Sequence, residues 1–387
     1  MTISAPQRTA ILRLRLTDFR NHATLDLATG GRSVALVGPN GAGKTNVLEA
    51  ISLLAPGRGL RRAAAGDLAR IGGEGMWAVA AEVEGVVGPI ALGTGTEPGG
   101  ARRWRIAGAP APGSAAFAEH LRIVWLTPAM DGLFTGPPSD RRRFLDRLVL
   151  ALDPAHGARV AAYERVLRDR NRLLEERGGE ERWLAALERE AAELAVAIAA
   201  ARADAVARLV ALIAETRGDD AFPWAGLALD GALEAAVAAE PAAAVEDAFR
   251  DRLGALRPRD RAAGRATEGP QTADLVVRHG PKDMPAALSS TGEQKALLVG
   301  LVLAHARLVA RAEGATPILL LDEVAAHLDP VRRAALYEAL ERQGAQAWLS
   351  GADPAAFAPL EGRATIFPLA GEPGSAENRS RSAGDPP

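Results

Sequence analysis

An eight-residue loop near the N-terminus carries the residue types that bind phosphate. Gly38-Pro39-Asn40-Gly41-Ala42-Gly43-Lys44-Thr45 follows an apolar run at 33–37 that is typical of a buried strand, and precedes an amphipathic helix beginning near Asn46. The spacing G-x-x-x-x-G-K-[ST] between strand and helix indicates a phosphate-binding loop. Its backbone N–H groups and the helix N-terminus favour a polyphosphate, Lys44 reaches the terminal phosphates, and the Thr45 hydroxyl can hold Mg²⁺. We expect residues 38–46 to bind a nucleoside triphosphate; the alternative is a Gly-rich turn with an incidental lysine.

An acidic pair supplies the second half of the chemistry. Leu319-Leu320-Leu321 is the most strand-like run in the chain, and Asp322 and Glu323 follow it directly. Ligands of open α/β sheets bind at the carboxyl ends of the strands. Asp322 is therefore suited to the Mg²⁺ shell, and Glu323 to orienting the water that attacks the γ-phosphate. The alternative is that both carboxylates cap the following helix.

A small polar run, 289–295, opens directly onto an apolar helix. Considered alone, this run is a helix N-cap with a good first turn. With the other two motifs, it resembles the S-x-G-x-Q signature of ATP-binding-cassette (ABC) ATPases. The resemblance implies that the signature of one subunit contacts the γ-phosphate bound by another, so that ATP clamps two copies into a homodimer. Asp329 matches the family's aspartate loop at that interface. The signature residues are Ser290, Thr291, Gly292, Glu293 and Gln294.

The elements that must position these motifs form an α/β pattern with a helical insertion. Alternating or apolar runs predict strands at 12–16, 24–27, 77–83, 86–92, 102–106 and 123–126, and then 273–278, 317–321, 346–350 and 365–368. Strand-like runs vanish from Ser139 onward for more than a hundred residues. We expect an Ala-rich helical continuation at 235–256, a polar connector at 257–270, and helices at 292–312 and 330–343.

The predicted fold is α/β: an ABC-type P-loop ATPase head with an antiparallel β addition and an inserted helical arm. A heptad-like seam in the arm's third helix fits a helical hairpin, with bends at Gly178-Gly179 and Gly218. The predicted divisions are 1–126 for the first half of the head, 127–264 for the arm, 265–370 for the second half, and 371–387 for a disordered tail.

Composition limits the classes of protein. The chain has 387 residues, 48% of them hydrophobic, a net charge of −2 and no cysteine. Disulfides and cysteine-based metal sites are excluded. Neither a signal core nor a membrane-length apolar run is evident, so we expect a soluble, cytoplasmic protein. The balanced charge means that nucleic acid would have to be bound by local basic clusters.

Within the ABC group, the motif separation and helical arm match the SMC-like branch. The chain resembles the RecF family of bacterial recombination proteins over nearly its whole length outside the tails. That resemblance implies an ATP-dependent DNA-binding clamp that recognises gapped or junction DNA and helps load RecA with RecO and RecR. The segments that carry it are Asp18-Phe19-Arg20-Asn21, Gly38 to Leu48 with Leu48-Glu49-Ala50, Pro56-Gly57-Arg58-Gly59, 141–146, Arg170-Asn171 and 290–298.

Several positions depart from the expected patterns. Gln271 stands where the resemblance implies histidine, the segment at 127–131 lacks the glutamine of a Q-loop, and no switch histidine of the transporter type follows the strand at 346–350. Ser350 or Asp353 is therefore the candidate sensor of the γ-phosphate.

Two arginine clusters are candidate DNA contacts, although each can instead be a solvated or internally paired face. They are Arg58, Arg61 and Arg62 beside the phosphate loop, and Arg141, Arg142 and Arg143 at the start of the arm. Two other functions remain open: a different SMC-like ATPase acting on chromosome structure, and a protein scaffold that ATP assembles without DNA-dependent turnover.

Overall fold

The computed structural model describes residues 6–97, 100–176, 181–218, 221–325 and 328–370. The chain divides into two compact units. The first comprises residues up to Pro128 together with those from Gly314 onward, and the second is Ala129–Glu313. The second unit contains both the helical insertion and the signature residues 290–294. Within the described residues, no helix is both long enough and apolar enough to cross a membrane.

The strands of the described residues are β1 (Gln7–Arg8), β2 (Ala10–Phe19), β3 (His22–Ala28), β4 (Ser33–Val37), β5 (Ala78–Gly85), β6 (Gly88–Thr96), β7 (Arg102–Ile106), β8 (Ala109–Ala111), β9 (Ile123–Leu126), β10 (Ala225–Asp230), β11 (Asp274–His279), β12 (Met284–Pro285), β13 (Ala315–Thr316), β14 (Ile318–Leu321), β15 (Ala347–Gly351) and β16 (Ala364–Pro368). The α-helices are α1 (Lys44–Ser52), α2 (Pro138–Leu152), α3 (His156–Glu175), α4 (Glu181–Glu215), α5 (Ala232–Ala239), α6 (Ala242–Ala255), α7 (Arg257–Ala263), α8 (Thr291–Glu313) and α9 (Pro330–Gln343).

A parallel sheet in the first unit aligns the predicted motifs. Its strand order is β16-β4-β15-β14-β9, and every pairing is parallel. β14 and β15 are buried throughout, as expected of strands covered on both faces. Because the strands are parallel, their carboxyl ends share one edge. The loop after β4, the acidic pair after β14 and the end of β15 therefore meet there.

An antiparallel sheet, ordered β3-β2-β5-β6-β7-β8, completes the first unit and confirms the predicted β addition. Alternate residues of β5 are buried, the period expected of a half-covered strand. Phe19 and Trp77 pack edge to face, with ring centroids 5.6 Å apart. This contact fixes the end of β2, from which a tight turn leads to β3.

The second unit corrects two predictions. A strand, β10, interrupts the helical insertion because its residues pair along their length with β11. The Ala-rich segment 235–256 is helical as predicted and forms two helices: Pro241 separates α5 from α6, since proline is tolerated only at a helix start. The connector at 257–270 is helical in its first half, where α7 begins with proline in its first turn. The predicted seam of α4 is confirmed, with Leu184, Ala191 and Ile198 buried.

Some predictions fall on residues outside the described ranges. They are the bend at Gly178-Gly179, the tail 371–387, and Ala326-His327 of the aspartate loop.

Candidate nucleotide-binding site

The loop between β4 and α1 wraps around the Lys44 ammonium group. Lys44 is only 4% exposed, and Nζ donates to the carbonyl oxygens of Gly38 at 2.7 Å and Pro39 at 2.8 Å. The ammonium group is therefore held at the centre of the loop, where the helix N-terminus adds further positive potential. This arrangement suits a polyphosphate.

Glycine is sterically required at two positions of this loop. A Cβ atom on Gly38 would lie 2.2 Å from the backbone oxygen of Leu369. Gly43 has φ +89°, and a Cβ there would lie 2.4 Å from His22 Nε2 and 2.5 Å from Asn21 Oδ1. The turn between β2 and β3 therefore touches the loop directly. Any larger residue would push the loop away from that turn.

Two hydroxyl groups contact the acidic pair, one from the end of the phosphate loop and one from β15. Thr45 Oγ1 donates to Asp322 Oδ1 at 2.9 Å, and Ser350 Oγ donates to the same oxygen at 2.7 Å. The backbone N–H of Glu323 donates to Ser350 Oγ at 2.9 Å. Thr45 and Asp322, which lie 277 positions apart in sequence, are thus adjacent in space. Glu323 has φ +54°, a left-handed conformation that is costly for a residue with a side chain and is typical of functional sites.

The hydroxyl of Thr45 and the carboxylate of Asp322 fit a magnesium ion. Mg²⁺ prefers hard oxygen ligands and usually takes only one or two from the protein, with phosphates and waters completing the octahedron. The two side chains supply such a pair next to a phosphate loop. They would hold the ion between the loop and β14.

A second layer of polar side chains supports α1. Glu49 is 1% exposed and accepts a bidentate pair from Arg20, at 2.8 and 2.9 Å, and a further bond from Arg61 at 3.0 Å. Arg61 also donates to Asn46 Oδ1 at 2.7 Å, and Asn46 Nδ2 donates to Asn21 Oδ1 at 2.7 Å. Helix α1 is therefore connected by hydrogen bonds both to the β2–β3 turn and to the loop at 56–62, which carries the arginines.

The signature residues lie at the N-terminus of α8 in the second unit. Glu293 accepts from the Ser290 backbone N–H at 3.1 Å and pairs with Lys282, forming a capping arrangement. Lys282 and Ser290 together lower the pKa of Glu293 to about 2. Gln294 is buried and donates to the Ser289 carbonyl at 2.8 Å. Ser290, Thr291 and Gly292 are exposed, which leaves the helix start accessible to a ligand or partner.

The remaining loop candidates are helix caps in this structure. Asp329 caps α9 by accepting from the Arg332 backbone N–H at 2.9 Å. Asp353 caps the short 3₁₀ helix that follows β15, by accepting from Ala355 N–H at 2.9 Å. Of the two sensor candidates, Ser350 therefore contacts the acidic pair, and Asp353 contacts its own helix.

The six arginine candidates divide by their contacts. Arg58 and Arg62 are exposed and make no side-chain ion pair within the described residues. Arg61 is engaged by Asn46 and Glu49. Arg141 forms a bidentate pair with Asp274, at 2.7 and 2.8 Å. Arg142 donates to the Ala273 carbonyl at 2.7 Å, and Arg143 pairs with Asp140.

Sequence reasoning assigned no role to His22, Asn21 or Glu49. Asn21 and Glu49 lie in segments that carry the family resemblance, but nothing local shows that they support the loop. The sequence of the turn after β2 did carry an indication. Its two polar residues, Asn21 and His22, follow the end of a strand, and polar side chains at such a turn favour contact with a neighbouring phosphate loop. Gln271, where histidine was expected, accepts from the Tyr163 hydroxyl at 2.7 Å and so belongs to the packing of the second unit.

The fold and site define a P-loop protein with an ABC-type ATPase fold. A family model described as "AAA domain, putative AbiEii toxin, Type IV TA system" matches residues 33–82, which span β4, the loop and α1. A structure of the recombination mediator protein RecF–ATPrS in the RecFOR pathway is similar over 91% of this chain and 95% of that chain, with a TM-score of 0.80 and 21% identity. This likeness confirms the fold.

Curated relatives are similar over nearly the whole chain. The DNA replication and repair protein RecF of Mesorhizobium japonicum is 57% identical over 94% of this chain and 96% of its own length. The protein of the same name from Brucella suis is 53% identical over 94% of this chain and 95% of its own length. The chain belongs to the RecF family of DNA replication and repair proteins.

Proposed function

We propose that this protein is an ATP-dependent DNA-binding clamp that dimerises on ATP and hydrolyses it slowly. The observation that carries the proposal is the junction of Thr45, Asp322 and Ser350 beside a loop that encloses Lys44. A phosphate loop alone would support nucleotide binding only. The adjoining acidic pair supplies what hydrolysis also requires.

The protein's own groups divide the chemistry between them. Lys44 and the loop N–H groups bind the β- and γ-phosphates, and Thr45 with Asp322 hold Mg²⁺, which neutralises phosphate charge when bound. Glu323 orients the attacking water. Its backbone N–H donates to Ser350 Oγ, which holds the Glu323 backbone at the strand end. Ser350 senses the γ-phosphate through the same hydrogen bonds.

We expect slow turnover by a single chain because a second copy must complete the site. Ser290, Thr291 and Gly292 are exposed at a helix N-terminus, which favours an anion. In the proposed dimer these residues contact the γ-phosphate held by the partner's loop, and Asp329 lies at the same interface. Each copy then supplies what the other lacks.

DNA is the proposed second substrate, bound through its backbone and shape rather than through its sequence. Arg58 and Arg62 remain the best candidates because both residues are exposed in the loop that Arg61 ties to α1. By the names of its relatives, the protein acts in DNA replication and repair. We place it at gapped or junction DNA in the cytoplasm, associated with the nucleoid, where it promotes RecA loading together with RecO and RecR.

The test is the ATPase rate of the full chain, with and without gapped DNA, at low salt. We expect gapped duplex to raise the rate more than intact duplex does. The matched control is Glu323→Gln, which should bind both ligands without turnover. An ATPase rate that DNA leaves unchanged at low salt would favour the scaffold alternative. Membership of the RecF family disfavours a different SMC-like chromosome ATPase.

A further inference from the structure

A cavity of about 290 Å³ opens in the first unit at the edge of the parallel sheet opposite the phosphate loop. The first residues of three strands line it, namely Ser33, Ala347 and Ala364, together with the last turn of α9. A five-residue strand spans about 16 Å, so this edge is well separated from the carboxyl ends that form the nucleotide site. The cavity belongs to neither the phosphate loop nor the acidic pair.

The floor of this cavity, its buried lining, is mostly hydrocarbon. Leu340, Leu349 and Leu360 are 5%, 1% and 6% exposed, and Ala345, Ala347 and Ala364 line it with them. The two hydroxyl groups of the lining are engaged within the protein, since Tyr337 donates to the Ala356 carbonyl at 2.9 Å and Ser33 Oγ accepts from the Ala347 backbone N–H at 3.1 Å. An apolar floor favours an apolar group, because burying a polar one there without a partner is costly.

The mouth of the cavity is basic. Arg8, Arg32 and Arg363 are all exposed and line it with one carboxylate, Glu341. Arg363 pairs with Glu341 at 3.2 Å, so Arg8 and Arg32 give the described lining residues an excess of positive charge. Arg8 donates to the Gly31 carbonyl at 2.7 Å, and Arg32 donates to a backbone carbonyl too. A guanidinium carries five N–H donors, so these single bonds leave donors for a ligand.

We propose that this cavity binds an acidic peptide segment that carries one large apolar side chain. A phosphate site would place its donors at the bottom, whereas here the donors ring the mouth and the bottom is apolar. The ligand that fits therefore inserts a hydrophobic side chain into the floor and sets flanking carboxylates against the arginines. A buried apolar anchor with a polar rim is the usual arrangement of a peptide hot spot.

The test uses the full chain and a fluorescein-labelled peptide, Asp-Glu-Phe-Glu-Asp, followed by fluorescence anisotropy. We expect binding with a Kd of about 0.1 mM, the range of a single-anchor contact. A matched peptide with alanine in place of phenylalanine should bind at least about tenfold more weakly, because the floor then gains no apolar group. Saturating ATP should leave the affinity unchanged.

Two variants test the floor and the mouth of the cavity separately. Ala345→Leu fills the floor and leaves every arginine in place. The double variant Arg32→Glu with Arg363→Glu reverses the charge of two arginines at the mouth. Each should weaken binding at least about tenfold, whereas Arg103→Glu, an exposed arginine on β7, should not. Circular dichroism melting of all variants distinguishes loss of the site from loss of the fold.

Several outcomes would overturn the proposal. Equal affinity for the phenylalanine and alanine peptides, or unchanged binding by a folded Ala345→Leu protein, would show simple charge attraction. Absence of binding at about 1 mM peptide would contradict it outright. Displacement of the peptide by ATP would assign it to the phosphate loop, and displacement by gapped DNA would make the surface a nucleic-acid contact instead.

Discussion

The hydroxyl of Ser350 holds both halves of the acidic pair, since it lies 2.7 Å from Asp322 Oδ1 and 2.9 Å from the Glu323 backbone nitrogen. Ser350 is fully buried on β15, the strand between β4 and β14. Together with Thr45, which contacts Asp322 from the phosphate loop, it connects the phosphate-loop side of the sheet with the acidic strand end.

The first prediction concerns Ser350→Ala. Loss of this hydroxyl leaves Asp322 and the Glu323 N–H each short of a partner, so we expect the ATPase rate to fall at least about tenfold and the unfolding free energy to fall by about 1–2 kcal/mol. ATP affinity, measured by calorimetry, should change little because Lys44 and the loop are untouched. An unchanged rate in a folded variant would remove Ser350 from the sensor role.

The second prediction is that Glu323→Gln traps a long-lived ATP dimer. The amide keeps the size of the side chain and its place at the strand end, but it cannot act as the carboxylate that orients the attacking water. Dimer lifetime after dilution, followed by light scattering, should increase many-fold over that of the unmodified protein. Rapid turnover in this variant would show that another group performs the step.

The third prediction separates three arginines of one cluster. Arg61→Ala removes bonds to Asn46 and Glu49, so we expect lower stability in urea and faster tryptic cleavage at 56–62. Arg58→Ala and Arg62→Ala should leave stability unchanged and weaken binding of gapped DNA, with a smaller salt dependence. The matched measurements are urea unfolding and DNA titration on all three variants. If all three lost DNA affinity equally without any loss of stability, the anchoring role of Arg61 would be wrong.

These arginines show what sequence can and cannot predict. The spacing around Lys44 and the apolar strand before Asp322 are local signals, and both motifs lie where a parallel sheet must place them. The partner of a charged side chain is not local: Arg141 pairs with Asp274, 133 positions away, and Arg170 is buried against Glu188 and Asp260. A basic triplet therefore gave no indication of which members would remain exposed.

The sequence did not predict strand β10 for the same reason, because its partner is distant in sequence. Its residues, Ala225–Asp230, carry little apolar alternation, and it is a strand because β11 offers it a partner about fifty positions later. Helix boundaries within the Ala-rich segment likewise depended on a single proline, Pro241, inside a composition that is favourable to helix throughout.

The fourth prediction is a pH dependence of stability that arises from His305. Burial lowers the pKa of His305 to about 4, while Nε2 donates to the Leu148 carbonyl at 2.9 Å. The unfolded chain takes up this proton near pH 6.5, so the stability from neutral His305 is complete above about 6.5 and declines as the pH falls towards about 4, by up to about 1.4 kcal/mol per pH unit.

The measurement is urea unfolding from pH 7 to pH 4 of the unmodified protein and of His305→Leu. In the variant, the unfolding free energy should lack the decline with falling pH that His305 causes, whatever the stability of the variant at neutral pH. Glu293, whose pKa is lowered to about 2, contributes a constant stability above its unfolded pKa of about 4.5 and loses it only as the pH falls below that value, which separates the two groups. Parallel slopes for both proteins between pH 6.5 and pH 4.5 would contradict the assignment.

The central claim is that two copies complete each nucleotide site, and the mass of the protein with ATP tests it most directly. Lys44→Met removes the loop cation and should neither bind ATP nor dimerise. Ser290→Arg should bind ATP with unchanged affinity in calorimetry, yet stay monomeric in mass photometry, because its signature can no longer approach the partner's γ-phosphate. A Ser290→Arg protein that dimerised with ATP as the unmodified chain does would contradict the account.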